Sequence, residues 1–112
     1  MSDLAQELTE QLQGFTDVIS MKLLLDDQVG YNFELVLESQ KKDRLHLFCQ
    51  DTSLLQITEF GGGLTQLNHL QVSDVRSRHL DRIKLEFSDL NPELLSFSCM
   101  RAAITNAAKS ED

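Results

Sequence analysis

The chain has 112 residues, enough for one domain with its own core and too few for two. Hydrophobic residues make up 41% and charged residues 25%, the balance of a folded globular domain rather than a disordered one. Eighteen Asp and Glu against ten Lys and Arg give a net charge of -8, which repels phosphate backbones and anionic lipid and so excludes nucleic acid and membrane surfaces as expected partners.

Residues 2–19 carry a helical pattern. Ser2 is placed to cap the first turn and Asp3 favours the positive end of the dipole, while Leu4, Leu8, Leu12, Phe15 and Ile19 recur at three- and four-residue spacing. Gly14 interrupts that stripe and marks an end or a bend. Residues 20–25 then read as a strand, with Asp26-Asp27-Gln28-Val29-Gly30 as its turn. Over residues 31–38, Tyr31, Phe33, Leu35 and Leu37 alternate with Asn32, Glu34 and Glu38, the signature of a half-buried antiparallel strand. A polar loop follows. Residues 44–50 alternate again, Leu45, Leu47 and Cys49 inward against Arg44, His46 and Phe48 outward.

Residues 54–60 and 64–73 read as strands on either side of the only glycine cluster, Gly61-Gly62-Gly63, and the stretch from Leu54 to Asp74 is expected to be the middle of the sheet. The glycines suit a tight reversal; no GxGxxG and no following Lys-Ser or Lys-Thr supports a phosphate cradle. Residues 83–88 alternate without a miss, Asp89 to Glu93 turn around the one proline, and residues 94–104 form the last strand, leaving 105–112 to fray. The expected fold is α+β in a single domain: an N-terminal helix over residues 1–19, packed on a curled, mostly antiparallel meander sheet of about seven strands over residues 20–104.

Chemistry is sparse in this pattern. His46, His69 and His79 lie on three different elements without metal-ligand spacing, so neither metal nor cofactor is expected. Cys49 and Cys99 each sit in an apolar run and read as buried small hydrophobes; no GxSxG or activated cysteine context points to an enzyme. The basic cluster of Arg76, Arg78, His79 and Arg82 is a candidate anion site, although Asp74 and Asp81 lie within it. Residues 1–43 hold nine acids and three bases, so most of the charge imbalance lies there. Asp26, Asp27, Glu34 and Glu38 are expected to make one negative docking face for a basic protein, with His46 and Phe48 beside it as anchors. The chain lacks a basic leader and an apolar run of spanning length, and the cytoplasm is the expected compartment.

From Phe60 onward, the succession Phe60-Gly61-Gly62-Gly63-Leu64, Leu70-x-Val72-x-Asp74-Val75, Leu80-Asp81-x-Ile83, Asp89 and Ser96-Phe97-x-Cys99 resembles small bacterial proteins, some of them similar to immunity proteins of polymorphic toxin systems. The resemblance covers residues 60–99 and rests on turns and strand cores; the aromatic residue often found near His79-Leu80 is missing from this chain. It implies a non-enzymatic inhibitor that binds a basic, nuclease-type toxin. The alternatives are a self-associating structural subunit, as a homodimer, and a small-ligand or anion binder using residues 76–84.

Overall fold

The structure is a computed structural model, and it describes residues 4–28, 30–58, 63, 65–76, 83–90 and 94–107. In chain order the elements are α1 (Leu4–Leu12), β1 (Phe15–Asp26), β2 (Gly30–Ser39), β3 (Arg44–Gln50), β4 (Ser53–Ile57), β5 (Thr65–Gln66), β6 (Leu70–Asp74), β7 (Leu85–Asp89), β8 (Leu95–Cys99) and β9 (Arg101–Ala107). The α+β expectation holds, with one N-terminal helix and antiparallel strands. The single curled meander does not. Among the described residues, eight strands of five residues or more, and the two-residue β5, divide into two sheets, of order β5-β1-β2-β3-β9 and β4-β8-β7-β6.

The helix is shorter than its apolar stripe suggests. Ala5, Leu8 and Leu12 are buried, but Gly14 takes a φ of +87°, which a side-chain-bearing residue adopts poorly, and the chain leaves the helix there. Phe15 and Ile19, expected on the helix, therefore begin β1 instead. Ser2 and Asp3, expected at its start, lie outside the described residues. Thr9 docks the helix on β6: its hydroxyl accepts from the Val72 amide at 2.9 Å and donates to the Ala5 carbonyl at 2.9 Å. His69 Nε2 donates to the Thr9 carbonyl at 3.2 Å beside it. The helix thus occupies the outer edge of β6.

Five more expectations are corrected. The stretch from Leu54 to Asp74 is not the middle of a sheet but supplies edges: β4 and β6 are the two outer strands of the second sheet, and β5 borders the first. The strand expected at residues 54–60 runs from Ser53 to Ile57, with residues 59–62 of the glycine stretch outside the described residues. The strand expected at 64–73 breaks at Leu67–His69, where the chain passes from one sheet to the other, and the strand expected at 94–104 breaks at Met100 for the same reason. Residues 105–107, expected to fray, pair with β3 as the end of β9, and 108–112 lie outside the described residues.

The inner faces of the two sheets meet in one core. Phe33, Leu35, Leu37, Leu45, Leu47 and Cys49 face Leu70, Val72, Leu85, Phe87, Leu95, Phe97 and Cys99, and α1 closes the side with Leu8 and Leu12. Three rings join the sheets: Phe97 stacks on Phe87 at 4.8 Å between centroids and receives Phe33 edge-on at 5.0 Å. Asp89 holds the crossing into the second sheet. Its Oδ1 accepts the Asn68 and His69 amides at 2.8 and 2.9 Å, and its Oδ2 accepts Asn68 Nδ2 at 3.2 Å.

Candidate functional site

The registers of the first sheet place its outward side chains in rows. Lys22, Glu34, Phe48 and Ala103 share one row; Ser20, Val36, His46 and Thr105 the next; Asp17, Glu38 and Arg44 pair along a third. Glu34, Glu38, His46 and Phe48 accordingly lie on one face, as the alternation of β2 and β3 requires. That face is mixed rather than strongly negative. Glu38 is bracketed by Arg44 at 3.2 Å and Lys42 at 3.5 Å, with only 12% of its side chain exposed. Glu34 lies directly opposite Lys22, close enough for the opposite charges to offset each other.

Asp26 and Asp27 have a different setting. Both are exposed in the β1–β2 turn, where Asp26 Oδ1 accepts the Gln28 amide at 2.8 Å and so shapes the reversal. They line an open cleft of about 720 Å³ together with Leu25, Asp51, Met100 and Arg101. The cleft exists because two crossings between the sheets meet there. Asp51 takes a φ of +58° to turn the chain out of β3, the Thr52 amide donates to the Tyr31 carbonyl at 2.8 Å, and the Met100 amide donates to the Gln50 carbonyl at 3.0 Å. A second depression of about 540 Å³, containing Glu34, Phe48, Ala103 and Asn32, adjoins it through Gln50 and Arg101. Phe48 stands over it because Ala103, its cross-strand partner, is too small to fill the row. Asn32 Oδ1 is buried in this region without a hydrogen-bond partner, which costs about 1–3 kcal/mol unless a donor reaches it.

Sequence reasoning missed Asp51, Met100 and Arg101. Asp51-Thr52-Ser53 carries only a turn signal in the sequence, and nothing local signals that residues 100 and 101 arrive beside it. Glu38 and His46 lie away from both depressions, so the expected set divides: Asp26 and Asp27 at one cleft, Glu34 and Phe48 at its neighbour.

Of the basic cluster, Arg78, His79 and Arg82 lie outside the described residues. Arg76 is engaged by Asp74, with Nη2 at 2.6 Å from Oδ2 and Nε at 3.0 Å from both oxygens. Hydrogen bonds from the Arg76 side chain and amide hold the Asp74 carboxyl below its ordinary range. A carboxylate so depressed contributes stability above its ordinary titration range and loses it as pH falls through the lowered value. Arg76→Ala is expected to return the Asp74 titration towards the ordinary value of about 3.9, read by the carboxyl carbon shift in NMR; an unmoved titration would remove Arg76 as the cause.

Cys49 and Cys99 are buried free thiols, as expected from their apolar runs. Burial, with a hydrogen bond to Cys99, pushes the Cys49 thiol well above its ordinary value, so it stays protonated and unreactive at neutral pH. Among the described residues, no group of three or more His, Cys, Asp or Glu is arranged to hold a metal ion, and no helix is long and apolar enough to cross a membrane. Comparison with known protein families, with curated proteins and with solved structures finds no match to this chain.

Proposed function

We propose that the protein is a non-enzymatic binding module that takes a basic segment of a partner protein at the acidic cleft between the β1–β2 turn and the sheet crossings, and that this partner is a toxin neutralised by the contact. The observation carrying the reading is the convergence of Asp26, Asp27 and Asp51, three acids against the single cation Arg101, around one cleft that also offers the apolar side chains of Leu25 and Met100. Charge at such a rim accelerates encounter with a basic partner, and the apolar floor supplies area to desolvate once the partner has docked. The net charge of -8 extends that attraction beyond the cleft. Resemblance to immunity proteins supplies the toxin as the partner class, and the cytoplasm follows as the compartment in which a producing cell needs protection.

The test compares the wild-type chain with an Asp26→Asn, Asp27→Asn double variant, both immobilised and exposed to lysate of the source organism at low and high salt. A basic protein retained by the wild type at low salt, and about tenfold less by the variant, is the expected result. That protein must then lose its activity when one equivalent of the wild-type chain is added. Equal retention by both chains would remove the cleft from the reading, and undiminished activity in the complex would remove inhibition.

One observation favours an anion binder as the second reading. Lys84 and Arg101 flank an open cleft of about 450 Å³ whose walls also hold the Asp74–Arg76 pair and the apolar Leu4, Leu85, Met100 and Ala102; with Asp74 engaged by Arg76, the remaining cations suit a carboxylate with an apolar body.

A further inference from the structure

Among the described residues, the first sheet leaves most of one long edge without a paired strand. β1 runs for 12 residues, yet β5 pairs only with Asp17 and Val18, so from Ser20 to Asp26 no strand among the described residues borders its outer side. Backbone amides and carbonyls along such an edge recognise another extended strand. The side chains there are apolar: Leu23 is 45% exposed, Leu24 54% and Leu25 61%.

Other edges of the two sheets carry features that discourage pairing. The outer edge of β6 gives its Val72 amide to Thr9 of α1. β4 is five residues long, with a register shift and a positive φ of 57° at Leu54. β9 presents small and polar residues, among them Ala103 and Thr105. Among the described strands, only β1 joins length with three consecutive exposed leucines.

We infer that the outer edge of β1 pairs with β1 of a second copy of this chain, antiparallel and centred on Leu24. The segment Lys22-Leu23-Leu24-Leu25-Asp26 is complementary to its own reverse. In that register Leu24 meets Leu24 on the two-fold axis, Leu23 meets Leu25, and Lys22 meets Asp26 at both ends. Parallel pairing in register would instead set lysine against lysine and aspartate against aspartate. A one-residue slip would lose both charge pairs and turn the leucines to opposite faces.

The two sheets become continuous across the axis. Leu23 and Leu25 point to the inner face, since their partners on β2 are Phe33 and Tyr31, and they meet their mates from the second copy there. Leu24 and Lys22 lie on the outer face. The pairing ends before Val18, where β5 already occupies the edge. In this register the strand residues that pair are Lys22 to Asp26, and so short an edge with one leucine cluster falls at the low end of interface sizes, so the dimer forms reversibly and depends on concentration. This interface shares Leu25 and Asp26 with the cleft proposed for the toxin, so dimer and partner would compete there; the dimer itself is argued from the β1 edge and is tested without any partner present.

The test is sedimentation velocity over roughly 1 to 300 µM, with far-UV circular dichroism as the folding control. The wild-type chain is expected to pass from monomer to dimer in this range. Lys22→Asp sets two acids against each other at each end, and Asp26→Lys sets two cations, so each variant alone is expected to dimerise at least about tenfold more weakly. An equimolar mixture of the two variants restores opposite charges at both ends and is expected to return the dimer. Wild-type monomer throughout, variants that dimerise as the wild type does, or folded variants whose mixture stays monomeric would each overturn the proposal. Because Asp26 also shapes the turn, a cross-link provides a second reading: Leu24→Cys is expected to join two copies under diamide, which oxidises two thiols to a disulfide, whereas Leu54→Cys on β4 is not. Absence of the Leu24→Cys cross-link would likewise overturn it.

Discussion

Phe97→Ala is expected to destabilise the protein by about 3–5 kcal/mol, the largest effect of any single truncation in the core. Phe97 is 2% exposed and touches rings from both sheets, Phe87 stacked beside it on the neighbouring strand and Phe33 edge-on from across the core. Removing it deletes both ring contacts and leaves a cavity that neither sheet can close, because each is held in register by its own ladder. With a whole domain stable by only about 5–15 kcal/mol, such a loss moves much of the population towards the unfolded state. Urea unfolding checks it: the midpoint is expected to fall steeply with an unchanged slope. Phe97→Leu, which keeps most of the volume, is expected to lose less than half as much. Equal losses for the two variants would show that the ring geometry, and not the volume, carries the energy.

The second large effect is expected at Asp89. This carboxylate is 2% exposed and accepts two backbone amides and one side-chain amide from Asn68 and His69. Asp89→Ala would leave the partly buried Asn68 and His69 donors without their acceptor, at a cost of about 2 kcal/mol. Asp89→Asn retains an oxygen that can take the place of Oδ1, which serves both backbone amides, and is expected to cost about 1 kcal/mol. Hydrogen exchange at the Asn68 and His69 amides separates the two variants, with protection lost in the alanine variant and largely kept in the asparagine one. If alanine and asparagine were equally costly, the negative charge rather than the acceptor geometry would be what holds the crossing.

Both effects arise at places where the chain joins the two sheets, and these are also the places least legible in the sequence. The strands β2 and β3 could be read almost to the residue, because inward-facing Phe33, Leu35, Leu37, Leu45 and Leu47 recur at every second position, most of them followed by a polar side chain, and a polar loop separates the pair. Nothing comparable marks the passage at Met100. Phe97, Ser98 and Cys99 are all buried in succession as β8 hands the chain to β9, so the apolar run continues across the break and looks like one strand. At the other end, Leu4, Leu8, Leu12, Phe15 and Ile19 keep helical spacing through the glycine that ends the helix. Phe15 and Ile19 are instead set by β1, which departs from regular pairing between Phe15 and Asp17 and between Val18 and Ser20.

The candidate cleft shows the same division. Asp26 and Asp27 were visible as a turn of two acids, since that inference needs only neighbouring residues. Asp51 and Arg101 join them through pairing between β3 and β9, and no local pattern announces a contact of that range. Glu34 and Glu38 were correctly placed on one face, but their charge is offset by Lys22, Lys42 and Arg44, which the alternation pattern alone does not bring beside them.

The partnership of β3 with β9 also dictates an order of assembly. The strands β1, β2 and β3 can zip together through two local hairpins as soon as they exist, but the far side of β3 has to wait until the whole second sheet has been laid down between it and its partner. During that interval Leu45 and Leu47 belong to a strand with an unsatisfied edge, the state in which chains most readily pair with the wrong neighbour. Loop closure over so long a span is slow, and it links completion of the first sheet to completion of the second. Neither sheet is therefore a subdomain that could be expressed alone: deleting β9 would not trim a border but reopen β3, so truncation is expected to surface as aggregation rather than as a smaller folded protein.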